Sequence, residues 1–142
     1  MSSTLNAAIG AAASALTVER TRVEVAVSNL ANAESTRGPN GQPYRRREVL
    51  LETAPGKSFD NALGQAVGVR VSAVVEDPSP YQTRYDPTHL DADEAGFVSL
   101  PNVRSDEEVV DLLSASRAYQ ANLTAINVIR DMIQKALDLG RS

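Results

Sequence analysis

The chain has 142 residues, enough for one domain or two small structural layers and too few for two separate enzymes. Its formal net charge of −4 argues against nucleic-acid recognition, which needs a basic surface that displaces counterions from phosphate. Cysteine is absent, which removes disulfides, thiolate metal sites and cysteine nucleophiles together, and an alanine-heavy apolar content with four tyrosines and two phenylalanines predicts an elongated molecule with a small core.

The opening residues MSSTLNAAIGAAASAL carry no Lys or Arg ahead of the apolar stretch and continue into periodic helix, so no cleaved secretory signal is expected. No run approaches the roughly 18 apolar residues of a membrane span, so direct membrane insertion is not expected either. Leu5, Ile9, Ala12, Leu16, Glu19, Val23, Ala26 and Leu30 recur at alternating steps of four and three, the spacing of a coiled-coil seam, with Glu19 its one polar member. Val18, Val25 and Val27 widen the apolar surface beyond that stripe and predict a second contact face. The helix should stop within AVSNLANAESTRG. Asn32 tolerates a left-handed backbone there, and Arg37-Gly38-Pro39 prevents continuation.

Residues 36–104 hold all seven prolines and read as strand and turn. Tyr44 to Glu52 and Val69 to Glu76 are the clearest strands, and Phe97 to Leu100 is a third. RGPNGQPY and EDPSPYQTRYDP read as loops, the first with an Asn-Gly turn. Arg45, Arg46 and Arg47 form the one basic cluster, and with Glu48 and Glu52 beside them they read as a solvated strand face.

From Leu112 the helical period returns through Ala115, Tyr119, Asn122, Ile126, Ile129, Ile133 and Ala136. Val109, Leu113, Leu123, Val128, Met132 and Leu137 lie off this seam and again suggest a second face. Ser105 and Glu108 have the spacing of a capping box, Asp106 to Glu108 place negative charge at the positive end of the helix dipole, and Gly140 supplies the stop. Two seamed helices at the chain ends predict an antiparallel, coiled-coil-like pair. The fold class is mainly α with a small β-rich insertion projecting from that pair.

Chemistry finds little purchase. His89 is the single histidine, with Asp86, Asp91, Asp93 and Glu94 near it in sequence, so a divalent-cation site is the first enzymatic idea. A calcium-loop alignment on Asp91, Asp93 and Gly96 fails at Ala95 and Asn102, and a polar turn held by Asx hydrogen bonds is the better reading. There is no nucleophile elbow, phosphate loop or dinucleotide fingerprint. No catalytic, metal or cofactor-binding residue is assigned.

The run Ser28-Asn29-Leu30-Ala31-Asn32-Ala33-Glu34-Ser35-Thr36 resembles the S-x-x-A-N-x-x-T signature that ends the N-terminal helix of bacterial flagellar axial proteins. Further on, Asp86-Pro87-Thr88-His89, Asp91-Ala92-Asp93, Gly96-Phe97-Val98, Pro101-Asn102-Val103 and Arg117-Ala118-Tyr119-Gln120-Ala121-Asn122 are similar to the blocks of proximal-rod proteins of the FlgC type. The similarity leaves out the stretch around residues 54–66, and Leu90 stands where proline is usual.

The resemblance implies a structural subunit of the flagellar basal-body rod, spanning the periplasm and carrying torque. Implied partners are copies of itself, other rod subunits, neighbouring basal-body components and the flagellar export apparatus. The helical assembly domain would be 1–35 with 105–142, and the insertion 36–104. Ser28, Ala31, Asn32 and Thr36 would fix the helix end and orient the insertion. Leu16, Val23, Leu30, Tyr119, Ile126 and Ile133 would pack between subunits. Another axial subunit and a secreted helical adaptor are the competing readings; the length of the middle region and the DPTH block favour the FlgC type over the first.

Overall fold

The computed structural model describes residues 2–54 and 68–140. Helix α1 (Ser2–Ala31) is followed by strands β1 (Arg47–Thr53), β2 (Val69–Glu76), β3 (Gln82–Tyr85) and β4 (Phe97–Leu100), and helix α2 (Ser105–Leu139) closes the chain. The stretch 55–67, most of the segment outside the flagellar resemblance, lies outside the described residues.

The two helices pack on each other, and burial follows the heptads. On α1, Ala26 is buried while Leu5, Ile9, Ala12, Leu16, Glu19, Val23 and Leu30 are half-buried. On α2, Ala115 is buried and Leu112, Asn122, Ile126, Ile129 and Ile133 are half-buried, whereas Tyr119 and Ala136 stay exposed. Asn29 near the end of α1 bonds Glu108 near the start of α2, so the pair is antiparallel, as the sequence predicts. The one buried apolar seam residue on each helix is an alanine, Ala26 and Ala115, which bury little area apiece. Glu19 sits in it by pairing with Arg22 at 3.0 Å. The hydroxyls of Ser14, Thr17 and Thr21 bond back to carbonyls three or four residues earlier, so they sit in the helix without unpaired donors.

The second face of α1 meets the first sheet. β1 and β2 pair antiparallel from Arg47↔Glu76 to Thr53↔Val69, and both strands contact α1. Along β2, Val69, Val71, Ala73 and Val75 are half-buried and Arg70, Ser72, Val74 and Glu76 exposed, the alternation of a sheet with one face covered. Val18 on α1 is buried, and the Val69 N–H donates to Ser14 Oγ at 3.1 Å. A Cβ on Gly68 would lie only 2.6 Å from that Oγ, so glycine permits the close approach. A register shift between Leu50 and Leu51 leaves both leucines exposed.

The second sheet pairs β3 with β4 antiparallel, from Gln82↔Leu100 to Tyr85↔Phe97. Strand β3 overturns the reading of EDPSPYQTRYDP as loop throughout. Its four residues are all exposed, so it carries no apolar alternation, and pairing with β4 makes it a strand. Across the pair Tyr85 and Phe97 meet edge to face, with centroids 5.3 Å apart at 66°. Val98 on β4 is fully buried.

Two terminal details also differ from expectation. The first strand begins at Arg47 rather than Tyr44. No capping box forms at α2: Arg104 is the N-cap residue, no side chain caps the helix, and Glu108 is engaged elsewhere. Helix α2 ends at Gly140 as expected, with φ −79° there. The Asn40-Gly41 turn forms as expected, with Gly41 at φ +78° and the Gln42 N–H donating to Asn40 Oδ1 at 3.1 Å.

Candidate assembly interface

The end of α1 is held by side chains rather than by a left-handed residue. Among the described residues no non-glycine has positive φ, which corrects the expectation for Asn32. Instead Asn32 Nδ2 donates to the Ser28 carbonyl at 2.8 Å, adding to the bond that the Asn32 N–H makes to the same oxygen at 3.2 Å. Ser35 then donates to the Asn32 carbonyl through both its N–H and its hydroxyl. Ser28 Oγ lies 3.3 Å from the Tyr44 hydroxyl, and Ala31 is exposed. Thr36 donates to Asp91 Oδ2 at 2.8 Å, tying the helix exit to the loop between β3 and β4. Arg37 pairs with the other oxygen of Asp91 at 2.6 Å.

The centre of this region is Asn29, which the motif reading passed over. It is 1% exposed and uses both ends of its amide. Nδ2 donates to the Arg47 carbonyl at 2.9 Å and to Glu108 Oε2 at 3.0 Å. Oδ1 accepts from the Arg47 N–H at 2.9 Å and from the Tyr44 hydroxyl at 3.0 Å. Glu108 is 2% exposed, and its Oε1 accepts from Arg46 Nε at 2.6 Å.

Arg46 also pairs with Glu48 and lies 3.8 Å from Asp77 and 3.6 Å from Asp111. Burial alone would lower its pKa, but Glu108 and Glu48 hold it above the usual arginine value. Asn102 completes the joint. Its Oδ1 accepts from the Arg46 N–H at 2.8 Å, and its Nδ2 donates to the Asp77 carbonyl and to Ser79 Oγ. No buried side-chain polar atom among the described residues lacks a partner.

The arginine run is therefore not a solvated strand face. Arg46 is the cation of a largely buried network, Arg45 stacks on Tyr81 at 4.5 Å, and Arg47 lies 5.6 Å above Tyr44. The signal that could have revealed Glu108 is its heptad position, seven residues before Ala115; its place in a capping-box pattern hid it. Asn29 could have been suspected as an amide beside a run of apolar helix positions.

The DPTH block forms the expected Asx-braced turn. Asp86 Oδ1 accepts from the Thr88 hydroxyl at 2.8 Å, Asp93 Oδ1 accepts from the N–H groups of Ala95 and Phe97, and His89 Nδ1 accepts from the Asp91 N–H at 3.0 Å. The Thr88 hydroxyl, followed by its N–H, holds the Asp86 carboxyl below the usual range. Gly96 has φ +83°, and a Cβ there would lie 2.9 Å from Tyr85 and 3.1 Å from Pro87. Leu90, in the usual proline place, leaves the turn formed and is itself 99% exposed.

The six proposed packing residues divide. Leu16, Val23, Leu30, Ile126 and Ile133 are half-buried along the seam between α1 and α2, and only Tyr119 is exposed. Large apolar side chains left in solvent on α2 include Val109, Val110, Leu113, Leu123, Val128, Met132 and Leu137. Apart from Val110, this surface was visible in the sequence as the off-seam positions.

Comparison with known proteins decides the family. Residues 94–139, from β4 through α2, match the family described as flagellar basal body rod FlgEFG protein C-terminal. A flagellar basal-body rod protein FlgC from Bacillus subtilis is 43% identical over 145 residues, covering 94% of this chain and 96% of that protein. The chain belongs to the FlgC family of flagellar basal-body rod proteins. Two further FlgC relatives agree. The one from Salmonella typhimurium is 44% identical over 131 residues, covering 92% of this chain and 93% of its own. The one from Borreliella burgdorferi is 40% identical over 147 residues, covering 94% and 95%. A FlgC-family chain is a structural rod subunit, and the exposed face of α2 and the polar joint are the features to read in that light.

Proposed function

We propose that this FlgC-family subunit carries load through the rod by packing the outer face of α2 against neighbouring subunits while the polar joint fixes how the insertion leaves the helix pair. The observation that carries the reading is the division of apolar surface on α2. Its seam is used within the chain, yet large aliphatic side chains remain exposed on its other faces, a pattern suited to further packing. Residues 1–35 with 105–142 then act as the assembly domain and 36–104 as the insertion. Ser28, Asn32 and Thr36 serve as fixtures of the helix exit, and Tyr119 is the one originally named packing residue free to meet a neighbour.

Copies of this chain, other rod subunits and neighbouring basal-body components are the proposed partners. The export apparatus is the proposed route to a rod that crosses the periplasm. A catalytic role is not proposed, and the use of His89 Nδ1 as a turn acceptor supports that reading. The experiment is localisation of the tagged full chain in isolated basal bodies, with swimming of a deletion strain as the second readout. The expected result is incorporation and loss of swimming. A tagged chain found only in the cytoplasm, together with normal swimming of the deletion strain, would overturn it.

A further inference from the structure

The structure assigns the braced loop 86–96 of one copy to the arginine-tyrosine groove beside the α1 exit of a second copy. This contact rests on the rod-subunit reading and adds to it a specific surface outside the helices. The loop presents Leu90, 99% exposed, near the exposed edge pair Tyr85 and Phe97, with Asp93 and Glu94 in solvent beside them. Its Asx bonds and the tight fit at Gly96 make it a preorganised knob rather than a floppy tip, so docking it loses little conformational freedom.

The groove is an open concavity of about 480 Å³ lined by Arg37, Arg45, Arg47, Tyr44, Tyr81 and Glu76 among others. Arg45 is held by the carbonyls of Asp77 and Ser79 and by the Tyr81 ring, and Arg47 lies over Tyr44. Among the described residues neither has a carboxylate within ion-pair distance, although the chain is acidic overall. Each thus keeps its charge over an aromatic floor, a setting that suits an acidic segment with an apolar tip. The loop cannot fill the groove of its own chain in this arrangement. Asp91 is already anchored on Thr36 and Arg37 at the groove margin, and Leu90 remains in solvent. A second copy, its own loop braced in the same way, presents the exposed tip of Leu90, Asp93 and Glu94 outward for docking.

Absence of native cysteine makes a cross-linking test clean. The full chain carrying Leu90→Cys and Glu76→Cys, oxidised at assembly concentration and in isolated basal bodies, should give disulfide-linked dimers or ladders that neither single variant gives. Adding Arg47→Glu should reduce the yield by roughly tenfold, and adding Glu94→Arg to that chain should restore it. Monomer alone, equal linkage by either single variant, or linkage indifferent to Arg47→Glu would overturn the contact. If linkage fails while the chain still enters basal bodies, this contact falls and the rod reading stands. If the chain is missing from basal bodies, the rod reading itself fails.

Discussion

At the scale of single residues, Glu108 decides most. A carboxylate that is 2% exposed is tolerable only because Arg46 and Asn29 meet both of its oxygens. Removing the cation strands the charge, and removing the carboxylate leaves Arg46 and the Asn29 amide short of partners. Glu108→Ala should therefore lower unfolding free energy by about 3 kcal/mol in urea titrations. The double change Arg46→Met with Glu108→Leu should recover most of that loss, because no charge is left to desolvate. Equal losses in the single and double variants would mean that the ion pair is not what the site depends on.

Two half-buried carboxyls give a pH signature. Hydrogen bonds from the Ser79 N–H and hydroxyl hold Asp77 below its ordinary 3.8, and the Thr88 hydroxyl does the same for Asp86. A depressed folded pKa means the unfolded chain takes up protons first. Their contribution is thus complete above about pH 4 and is lost as pH falls through the lower folded values. Acid titration of stability should show this loss, and Thr88→Val should flatten the part due to Asp86.

At the scale of elements, the seam and the outer face of α2 make opposite demands. Leu30 is half-buried beside α1's partner, so Leu30→Asp should cost about 3 kcal/mol and loosen the monomer before assembly is tested. Leu113 is half in solvent, and Leu113→Asp should leave the circular dichroism and urea midpoint of the monomer nearly unchanged while blocking entry into basal bodies. Normal swimming with Leu113→Asp would remove the outer face from the assembly surface. Both helices and the second strand were legible because a repeat of four and three, or of two, is written in apolar residues along one segment. Strand β3 was not legible, since Gln82 to Tyr85 owe their conformation to a partner strand twelve or more residues away.

At the scale of the whole molecule, the joint gathers Asn29, Tyr44, Arg46, Asn102 and Glu108 from four separated stretches. Each has a plausible local role, as helix stop, strand start, basic run, loop or cap, and sequence reading assigns those local roles first. Only the fold shows that they share one centre. The motif at the end of α1 located the right place: Asn32 finishes the helix, and its neighbour Asn29, inside the same run, ties it to the rest of the chain.

A polar centre beside an alanine-rich seam also divides the molecule by temperature. Apolar burial loses force on cooling, whereas buried polar groups carry a heat-capacity change of the opposite sign. On cooling, the helix seam should therefore weaken before the joint at Asn29 and Glu108. If the joint orients the insertion as proposed, that orientation should be the feature least sensitive to cold.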